Sequence, residues 1–202
     1  MALSVAFWRR GSAMNKILLA VAGLVLVAVF AFPQPQPDIG IPTSAPASAR
    51  TQEARALALA VPLIAKWEGK RNAAYQDLVG VWTICYGHTR TARPGMVLSD
   101  ADCEALLRAE VRDYRARLLP HFSAETRARR LPPPRDAAFT SLAFNVGVAG
   151  AGRSTATRRL NEGDVPGACE ALTWWNKAGG RVVAGLRNRR TEEYGYCMRE
   201  AS

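Results

Sequence analysis

A stretch of 23 residues, punctuated by glycine, interrupts a chain whose remaining pattern is largely helical. It covers positions 67–89 and reads WEGKRNAAYQDLVGVWTICYGHT. Within it, Tyr75–Asp77 and the run VGVWTICYGH have the composition of short strands, and Gly80 and Gly87 are turn points. We therefore predict a small β-hairpin inserted between helices, which restricts the domain to an α+β fold.

The segments on either side of this hairpin have the spacing of helices. Residues 52–67 place apolar side chains at helical intervals, with Pro62 as a kink or as the start of the last stretch. Ser99 is a suitable N-cap for a helix that runs to about Leu119. Further helical segments are expected at 135–147, 154–163, 164–180 and 185–197. The predicted domain is mainly helical and has no internal repeat.

Charge and composition narrow the range of partners. The 202 residues include 27 Lys and Arg against 17 Asp and Glu, a formal net charge of +10, and a hydrophobic content of 49% is typical of globular proteins. Such a surface attracts nucleic acid, an acidic membrane surface or anionic wall polymer. The sequence contains no nucleic-acid-binding signature and its arginines are scattered, so no nucleic-acid partner is expected.

The first fifty residues differ from the rest of the chain. Residues 17–32, ILLAVAGLVLVAVFAF, form an uncharged run behind three basic residues, which sends the following chain across a membrane. The run is intermediate between a cleavable signal core and a stable membrane helix. We favour an uncleaved anchor over a cleaved signal, because the small-residue pattern Ala47–Ala49 lies unusually far downstream. Met14 is an alternative start.

A segment rich in proline follows this apolar run. Proline fixes φ and lacks a backbone donor, so we expect a semi-extended linker. The predicted organisation is a signal or anchor segment at 1–32, a linker at 33–50 and a folded domain at 51–202.

The four cysteines contain no C-x-x-C pair, which argues against a zinc site or a thioredoxin-type redox site. An even number of cysteines behind an export signal favours disulfides, and four cysteines allow three connectivities. Four buried, reduced thiols are the alternative. The residues concerned are Cys85, Cys103, Cys169 and Cys197.

Glu68, Asp77 and Thr83 offer the groups that hydrolysis of a glycosidic bond requires. One carboxyl group must keep a proton for the leaving oxygen, which an apolar environment favours, and Glu68 lies beside Trp67. Asp77, on a turn, can stay ionised and either hold an attacking water or attack the sugar itself. The stiff side chain of Thr83 can orient that water. Taken singly, the three are also an ordinary helix-end residue, a turn former and a strand residue.

The pattern around these residues resembles the active-site segment of the phage-type lysozymes, glycoside hydrolase family 24. The shared pattern is EG-x-x-x-x-AY-x-D-x-x-G-x-x-T-I-x-YGHT, and it continues through FNVG at 144–147, RRLNEGD at 158–164 and GL-x-x-RR-x-x-E at 185–193. The resemblance implies a two-lobed lysozyme-like fold with a small β-hairpin lobe and a larger helical lobe. It assigns Glu68 as the general acid, Asp77 as the carboxylate that positions water and Thr83 as its assistant.

Within this family the sequence is most similar to the signal-arrest-release (SAR) endolysins, which share the weakly apolar N-terminus and TICYGHT. Many other relatives have glycine in place of Cys85. The resemblance implies export, a tethered and inactive stage in the inner membrane, and release into the periplasm. The apolar segment contains no cysteine, so a switch based on a membrane-segment thiol is not expected and inactivation would come from tethering.

The resemblance also suggests roles for further residues. His88 is expected to be structural and to pair with an acid on the next long helix, Glu110 in preference to Asp113. Asn145 contacts sugar or caps a helix, and Tyr86 is a candidate for substrate binding.

The remaining expectations concern the helical lobe. Arg189 and Arg190 are expected to be scaffold or wall-charge contacts rather than catalysts. The family often carries larger apolar residues where this chain has alanine at 151 and 156, and Trp174 and Trp175 are the candidates to fill that space.

For the cysteines we expect one disulfide within each lobe. Cys85 would pair with Cys103 in the small lobe, and Cys169 with Cys197 in the helical lobe.

These inferences predict a monomeric muramidase that acts on peptidoglycan without metal or cofactor and is tethered to the inner membrane by its N-terminal segment. Family resemblance implies inversion, for which the two carboxyl groups lie about 6.5–9.5 Å apart, against about 5–5.5 Å in retaining enzymes. One alternative is a lytic transglycosylase, which does not require Asp77. Another is a non-catalytic cationic protein that permeabilises walls or membranes by charge.

Overall fold

A computed structural model describes residues 47–200, which fold into seven α-helices and four short strands. The predicted segment 1–32 and most of the linker 33–50 lie outside the described residues. The first helix begins at Ala47, four residues before the expected start of the domain. The elements are α1 (Ala47–Glu68), β1 (Arg71–Gln76), β2 (Trp82–Cys85), α2 (Asp100–Leu118), α3 (Pro133–Val146), α4 (Val148–Gly152), α5 (Thr155–Glu162), α6 (Val165–Leu172), β3 (Lys177–Ala178), β4 (Arg181–Val182) and α7 (Ala184–Cys197).

Helix α1 leads directly into the hairpin. Its buried positions, which follow the helical period, form one stripe against the other helices. Pro62 lies on the exposed side and does not break the helix. Gly69, with φ of +68°, ends the helix in the left-handed conformation that glycine adopts without steric cost. Glu68 is therefore the last helical residue before the chain reverses.

The small lobe is built on the antiparallel pair β1 and β2, in which Tyr75 lies opposite Thr83. Strand β1 begins four residues before the predicted Tyr75–Asp77 and ends at Gln76, because Asp77 belongs to the turn, whereas β2 is shorter than the predicted run VGVWTICYGH and ends at Cys85. The backbone at Cys85 has φ of +58°, which disfavours residues with a Cβ and is the conformation that glycine adopts most easily. Cys85 is joined to Cys103 of α2, so one of the two expected disulfides ties the hairpin to the next helix.

Helix α2 connects the hairpin lobe to the helical lobe. The Ser99 hydroxyl accepts a hydrogen bond from the Asp102 amide, and the Asp102 side chain accepts one from the Ser99 amide. This reciprocal capping box satisfies two donors that the helix cannot satisfy itself. The predicted cap is present, and the α-helix ends at Leu118, one residue before the expected end.

The helical lobe is organised around α3, of which nine residues are buried. Its core includes Phe139 and Leu142 of α3, Leu160 of α5 and Leu172 of α6. The second expected disulfide, Cys169–Cys197, joins α6 to α7. A 3₁₀ turn at Leu119–His121 and a π-helical turn at Thr126–Arg130 connect α2 to α3.

Two expectations for this lobe were wrong. The helix predicted over 164–180 ends at Leu172, and the glycines of the AGG run form the turn between β3 and β4. Trp174 and Trp175 do not fill the core, since they are 51% and 37% exposed. Ala151 and Ala156 are fully buried by other residues.

Within residues 47–200, no helix combines the length and the apolar character that crossing a membrane requires.

Candidate active site

The carboxyl group of Glu68 opens onto a cleft of about 550 Å³ between the hairpin lobe and the helices. Its side chain is 23% exposed. The end of α1 and the turn at Gly69 place it there. Besides Glu68, the lining includes charged and aromatic side chains: Tyr86, Arg90, Asp113, Tyr114, Arg117 and Phe144. A mixed polar and aromatic wall of this kind suits a polyhydroxylated ligand.

Arg189 of α7 holds the Glu68 carboxylate from inside the protein. Its Nη1 donates to Glu68 Oε1 over 2.7 Å, and the Arg189 side chain is only 4% exposed. The other nitrogens of the guanidinium donate to Glu193 Oε1 over 3.1 Å and to the Ser141 carbonyl over 3.2 Å. Because the guanidinium is planar and bonded at three points, it gives Glu68 Oε1 a fixed partner. Glu68 Oε2 makes no hydrogen bond to any residue of 47–200.

Asp77 and Thr83 are both anchored to the backbone of Val81. Asp77 Oδ1 accepts hydrogen bonds from the Val79 and Val81 amides, over 2.9 and 2.8 Å. The buried hydroxyl of Thr83 donates to the Val81 carbonyl over 3.1 Å. Asp77 is therefore the turn former that its sequence context suggests, but only one of its oxygens is used. Its Oδ2 accepts no hydrogen bond within the described part of the chain, and the Thr83 oxygen keeps its lone pairs for an incoming donor.

The structure brings some of the predicted site residues together and leaves others apart. Glu68 and Tyr86 line the same cleft, whereas Asp77, Thr83 and Asn145 are not among its lining residues. Asp77 and Thr83 share the hairpin with Tyr86, since Thr83 and Tyr86 are three residues apart on the second strand and its extension.

Asn145, at the end of α3, is exposed, and its carbonyl oxygen accepts a hydrogen bond from Arg190 Nη2 over 2.9 Å. Because a guanidinium only donates, the amide is oriented with its NH₂ group away from Arg190. The NH₂ group of Asn145 is therefore a fixed hydrogen-bond donor that points away from Arg190.

His88 makes the contact that the sequence analysis expected. Its Nδ1 lies 2.8 Å from Glu110 Oε1, and its Nε2 lies 2.8 Å from the Thr91 hydroxyl and accepts the Thr91 amide over 3.1 Å. Because Nε2 is an acceptor, Nδ1 carries the proton and donates it to Glu110. His88 is 3% exposed, so it links the hairpin lobe to α2 rather than facing substrate.

Sequence reasoning missed the importance of Arg189, Ser141 and Glu193. Arg189 and Arg190 were expected to be scaffold or wall-charge contacts, and the second role is excluded because they are 3% and 1% exposed. The motif RR-x-x-E could have predicted the pairing of Glu193 with Arg189 and Arg190, since residues three and four positions apart lie on one face of a helix. The contact with Glu68, 121 positions away in the chain, had no such signal.

Arg189, Arg190 and Glu193 form a buried cluster, called the arginine cluster here, and burial shifts the pKa values of two of its members. Burial raises the pKa of the Glu193 carboxyl, against the opposing effects of Arg190, Ser141 and Arg189. Burial also lowers the pKa of Arg190, although the nearby carboxylates counteract it. The carboxylate and the guanidiniums therefore depend on one another for charge compensation.

Comparison with known proteins relates this geometry to a family. The model of the phage lysozyme family matches residues 65–193. SAR-endolysins of Bacteriophage PS119 and Enterobacteria phage P21 are each 36% identical over 132 residues, which is 65% of this chain and 76% and 77% of theirs.

Among solved structures, the muramidase domain of SpmX from Asticaccaulis excentricus is 32% identical with a TM-score of 0.63, covering 70% of this chain and 95% of that one. The active form of P1 phage endolysin Lyz is 25% identical with a TM-score of 0.60, covering 69% and 83%. The match of the family model spans the hairpin, the cleft and the arginine cluster, and the chain belongs to the phage lysozyme family.

Proposed function

We propose that the chain is a peptidoglycan-degrading endolysin that hydrolyses the β-1,4 bond between N-acetylmuramic acid and N-acetylglucosamine. The observation that carries the proposal is the Glu68 carboxyl group, which opens on the cleft with one oxygen free while Arg189 holds the other over 2.7 Å. Membership of the phage lysozyme family and the names of its SAR-endolysin and muramidase relatives support the same activity.

In this mechanism Glu68 is the general acid. A proton on the free oxygen Oε2 passes to the glycosidic oxygen as the bond to the anomeric carbon breaks, and positive charge develops on the sugar ring. The Arg189 contact prevents the carboxyl group from rotating away from the leaving oxygen. Positioning of this kind accounts for a large part of the rate in such reactions.

Asp77 and Thr83 would bring the water. Two backbone amides hold Asp77 Oδ1, so Oδ2 can accept a hydrogen bond from a water molecule and take up its proton as the oxygen attacks the anomeric carbon. The Thr83 hydroxyl, which already donates to Val81, can accept a second hydrogen bond from the same water. The attack of a separate water gives inversion at the anomeric carbon.

We further propose that residues 1–32 tether the enzyme to the inner membrane before release into the periplasm. The basic residues ahead of the apolar run and the SAR-endolysin relatives support this. The two disulfides support action in an oxidising compartment. We propose that the released protein acts as a monomer on peptidoglycan, which is an insoluble polymer.

Mass spectrometry of peptidoglycan digested by the full-length chain tests the proposal. Reducing muramic ends are expected from the wild type, and Glu68→Gln and Asp77→Asn should each abolish them. Glu162→Gln, which removes a carboxylate from the exposed face of α5, is the control and should behave as wild type. Anhydro-muramic ends that persist in Asp77→Asn would indicate a lytic transglycosylase. Cell lysis by Glu68→Gln without any soluble product would indicate permeabilisation by charge alone.

A further inference from the structure

A fully buried carboxyl group lies behind the cleft and contacts neither the cleft nor solvent. Glu193 of α7 is 0% exposed, and its two oxygens face Arg189 and Arg190. We propose that Glu193 is a positioning residue for the reaction, which holds both arginines so that one fixes the general acid and the other fixes a polar contact at the end of α3. This inference rests on the proposed function.

The first branch leads to Glu68. Glu193 Oε1 accepts from Arg189 Nε over 3.1 Å, and Arg189 Nη1 donates to Glu68 Oε1 over 2.7 Å. The Ser141 hydroxyl donates to the same Glu193 oxygen over 2.6 Å. The chain of contacts from Glu193 to the cleft therefore has a single intermediate, and the orientation of that guanidinium depends on the carboxylate behind it.

The second branch leads to Asn145. Glu193 Oε2 lies 3.1 Å from Arg190 Nε, and Arg190 Nη2 donates to Asn145 Oδ1 over 2.9 Å. This contact orients the Asn145 amide as a donor for an acceptor oxygen. One buried carboxylate thus supports two side chains on different helices, α1 and α3.

Stability alone does not explain this arrangement. Arg190 Nε, Arg190 Nη1 and Glu193 Oε2 are buried and, among the described residues, form no hydrogen bond, since the 3.1 Å ion pair lacks the alignment of one. Buried polar atoms without partners are costly, and an apolar cluster of similar volume would often be at least as stable. The cost is understandable if the network is retained for the orientation of Glu68 and Asn145.

The charges of the network also make a prediction about pH. The charged groups in contact with Glu193 are Arg189 and Arg190 on its own helix; α3 contributes the neutral Ser141 hydroxyl, and α1 contributes Glu68 through Arg189. The two guanidiniums thus lie between the Glu193 and Glu68 carboxyl groups. Removing the charge of Glu193 leaves Glu68 as the one carboxyl group among the described residues that faces these guanidiniums, which changes the electrostatic environment of the general acid.

The test is Glu193→Gln in the full-length chain, assayed by the release of reducing ends from purified peptidoglycan sacculi. Glutamine keeps the volume and an acceptor oxygen but loses the charge. We expect kcat to fall about 10- to 100-fold, the effect of a small misplacement of a reacting group. We also expect the pH–rate profile to differ from that of the wild type, because the charge behind the general acid has changed.

Asp136→Asn is the matched control. Asp136 is also a buried carboxylate, 2% exposed, and lies 2.8 Å from an arginine. That arginine is Arg115 of α2, which pairs with Asp136 and Glu53 and, within residues 47–200, makes no ion pair with Glu68. Whatever this change does to the melting temperature, the pH–rate profile should stay that of the wild type. An equal shift of the pH–rate profile in Asp136→Asn and Glu193→Gln would show that Glu193 has only a structural role.

A second variant decides the matter if Glu193→Gln does not fold. Ser141→Ala removes one donor from the same Glu193 oxygen and should change kcat and the profile in the same direction by a smaller factor. Wild-type kinetics in whichever of these two variants folds would overturn the inference. Loss of activity in Glu68→Gln together with wild-type behaviour in Glu193→Gln would overturn the role of Glu193 alone. Activity that survives Glu68→Gln would instead overturn the proposed function.

Discussion

The Cys169–Cys197 disulfide should account for several kcal/mol of the stability of the helical lobe. The bond joins α6 to α7 across a sequence separation of 28, and both cysteines are 0% exposed. In the chain-entropy model, closing a loop of this length lowers the conformational entropy of the unfolded state, which stabilises the folded state by about 3.6 kcal/mol. We therefore expect Cys169→Ala together with Cys197→Ala to lower the free energy of unfolding by at least about 3–4 kcal/mol, because the loss of two buried sulfur atoms from the core adds to the effect of loop closure. Alanine is chosen since a buried serine hydroxyl would require a new partner.

Urea unfolding of the full-length chain, followed by tryptophan fluorescence, measures this effect. For a folded unit of about this size, the expected loss corresponds to a melting temperature lower by about 7–14 °C. Wild-type protein under reducing conditions should unfold at a lower urea concentration than this variant, because both disulfides are then open. The Cys85–Cys103 pair, with a separation of 18, is the comparison, and its removal should cost about 3.2 kcal/mol by the same model. A loss below about 1 kcal/mol for Cys169–Cys197 would refute the assignment of its effect to loop closure.

Three further changes should alter stability in ways that the structure specifies. Gly152→Ala would place a Cβ 2.4 Å from the His121 ring, and the overpacking should lower the free energy of unfolding by about 1–3 kcal/mol in a denaturant titration. Glu110→Leu removes the acceptor of the buried His88 Nδ1–H group and should cost about 1–3 kcal/mol, measured by thermal unfolding. Burial raises the pKa of Asp136 above its ordinary value of 3.8, so the folded state binds this proton more tightly than the unfolded state. The stability that this group contributes is complete below about pH 3.8 and is lost as pH rises through the folded pKa, so wild type should lose stability relative to Asp136→Asn over that range.

Each of these predictions has a control in the same molecule. Gly150→Ala, on the same short helix, would bring its Cβ no closer than 3.5 Å to any side chain and should be neutral or slightly stabilising, because alanine favours helix over glycine. Glu104→Leu, at an exposed position of α2, should cost far less than Glu110→Leu. For Asp136, a gain in the stability of wild type relative to Asp136→Asn with rising pH would contradict the assigned direction of the pKa shift.

Local patterns in the sequence were sufficient for the elements and for much of the site. The cap at Ser99, the turns at Gly80 and Gly87 and the hairpin between two helices follow from backbone preferences that act over a few residues. The resemblance of the hairpin segment to the phage-type lysozymes identified the family, and both disulfide pairs are those expected from one bond per lobe.

The sequence pattern gave wrong predictions where the same residues are compatible with two different structures. Residues 173–180 continue a helical composition, but paired glycines at 179 and 180 turn the chain into β3 and β4. Trp174 and Trp175 are large and apolar, yet the packing of the helical lobe is complete without burying them, and they remain at the surface. Composition predicts burial only on average, because the space available in a core is set by all of its neighbours.

The sequence by itself identified the groups that the proposed chemistry would use: an acid at a helix end, a second carboxylate on a turn and a hydroxyl on the next strand. The tertiary structure decided how the acid is held. Arg189 reaches Glu68 across 121 positions of chain, and Glu193 supports that arginine from the interior. Such contacts are absent from any local pattern, because the orientation of a buried ion depends on which groups the completed fold places around it, and its desolvation has to be compensated within a few ångströms.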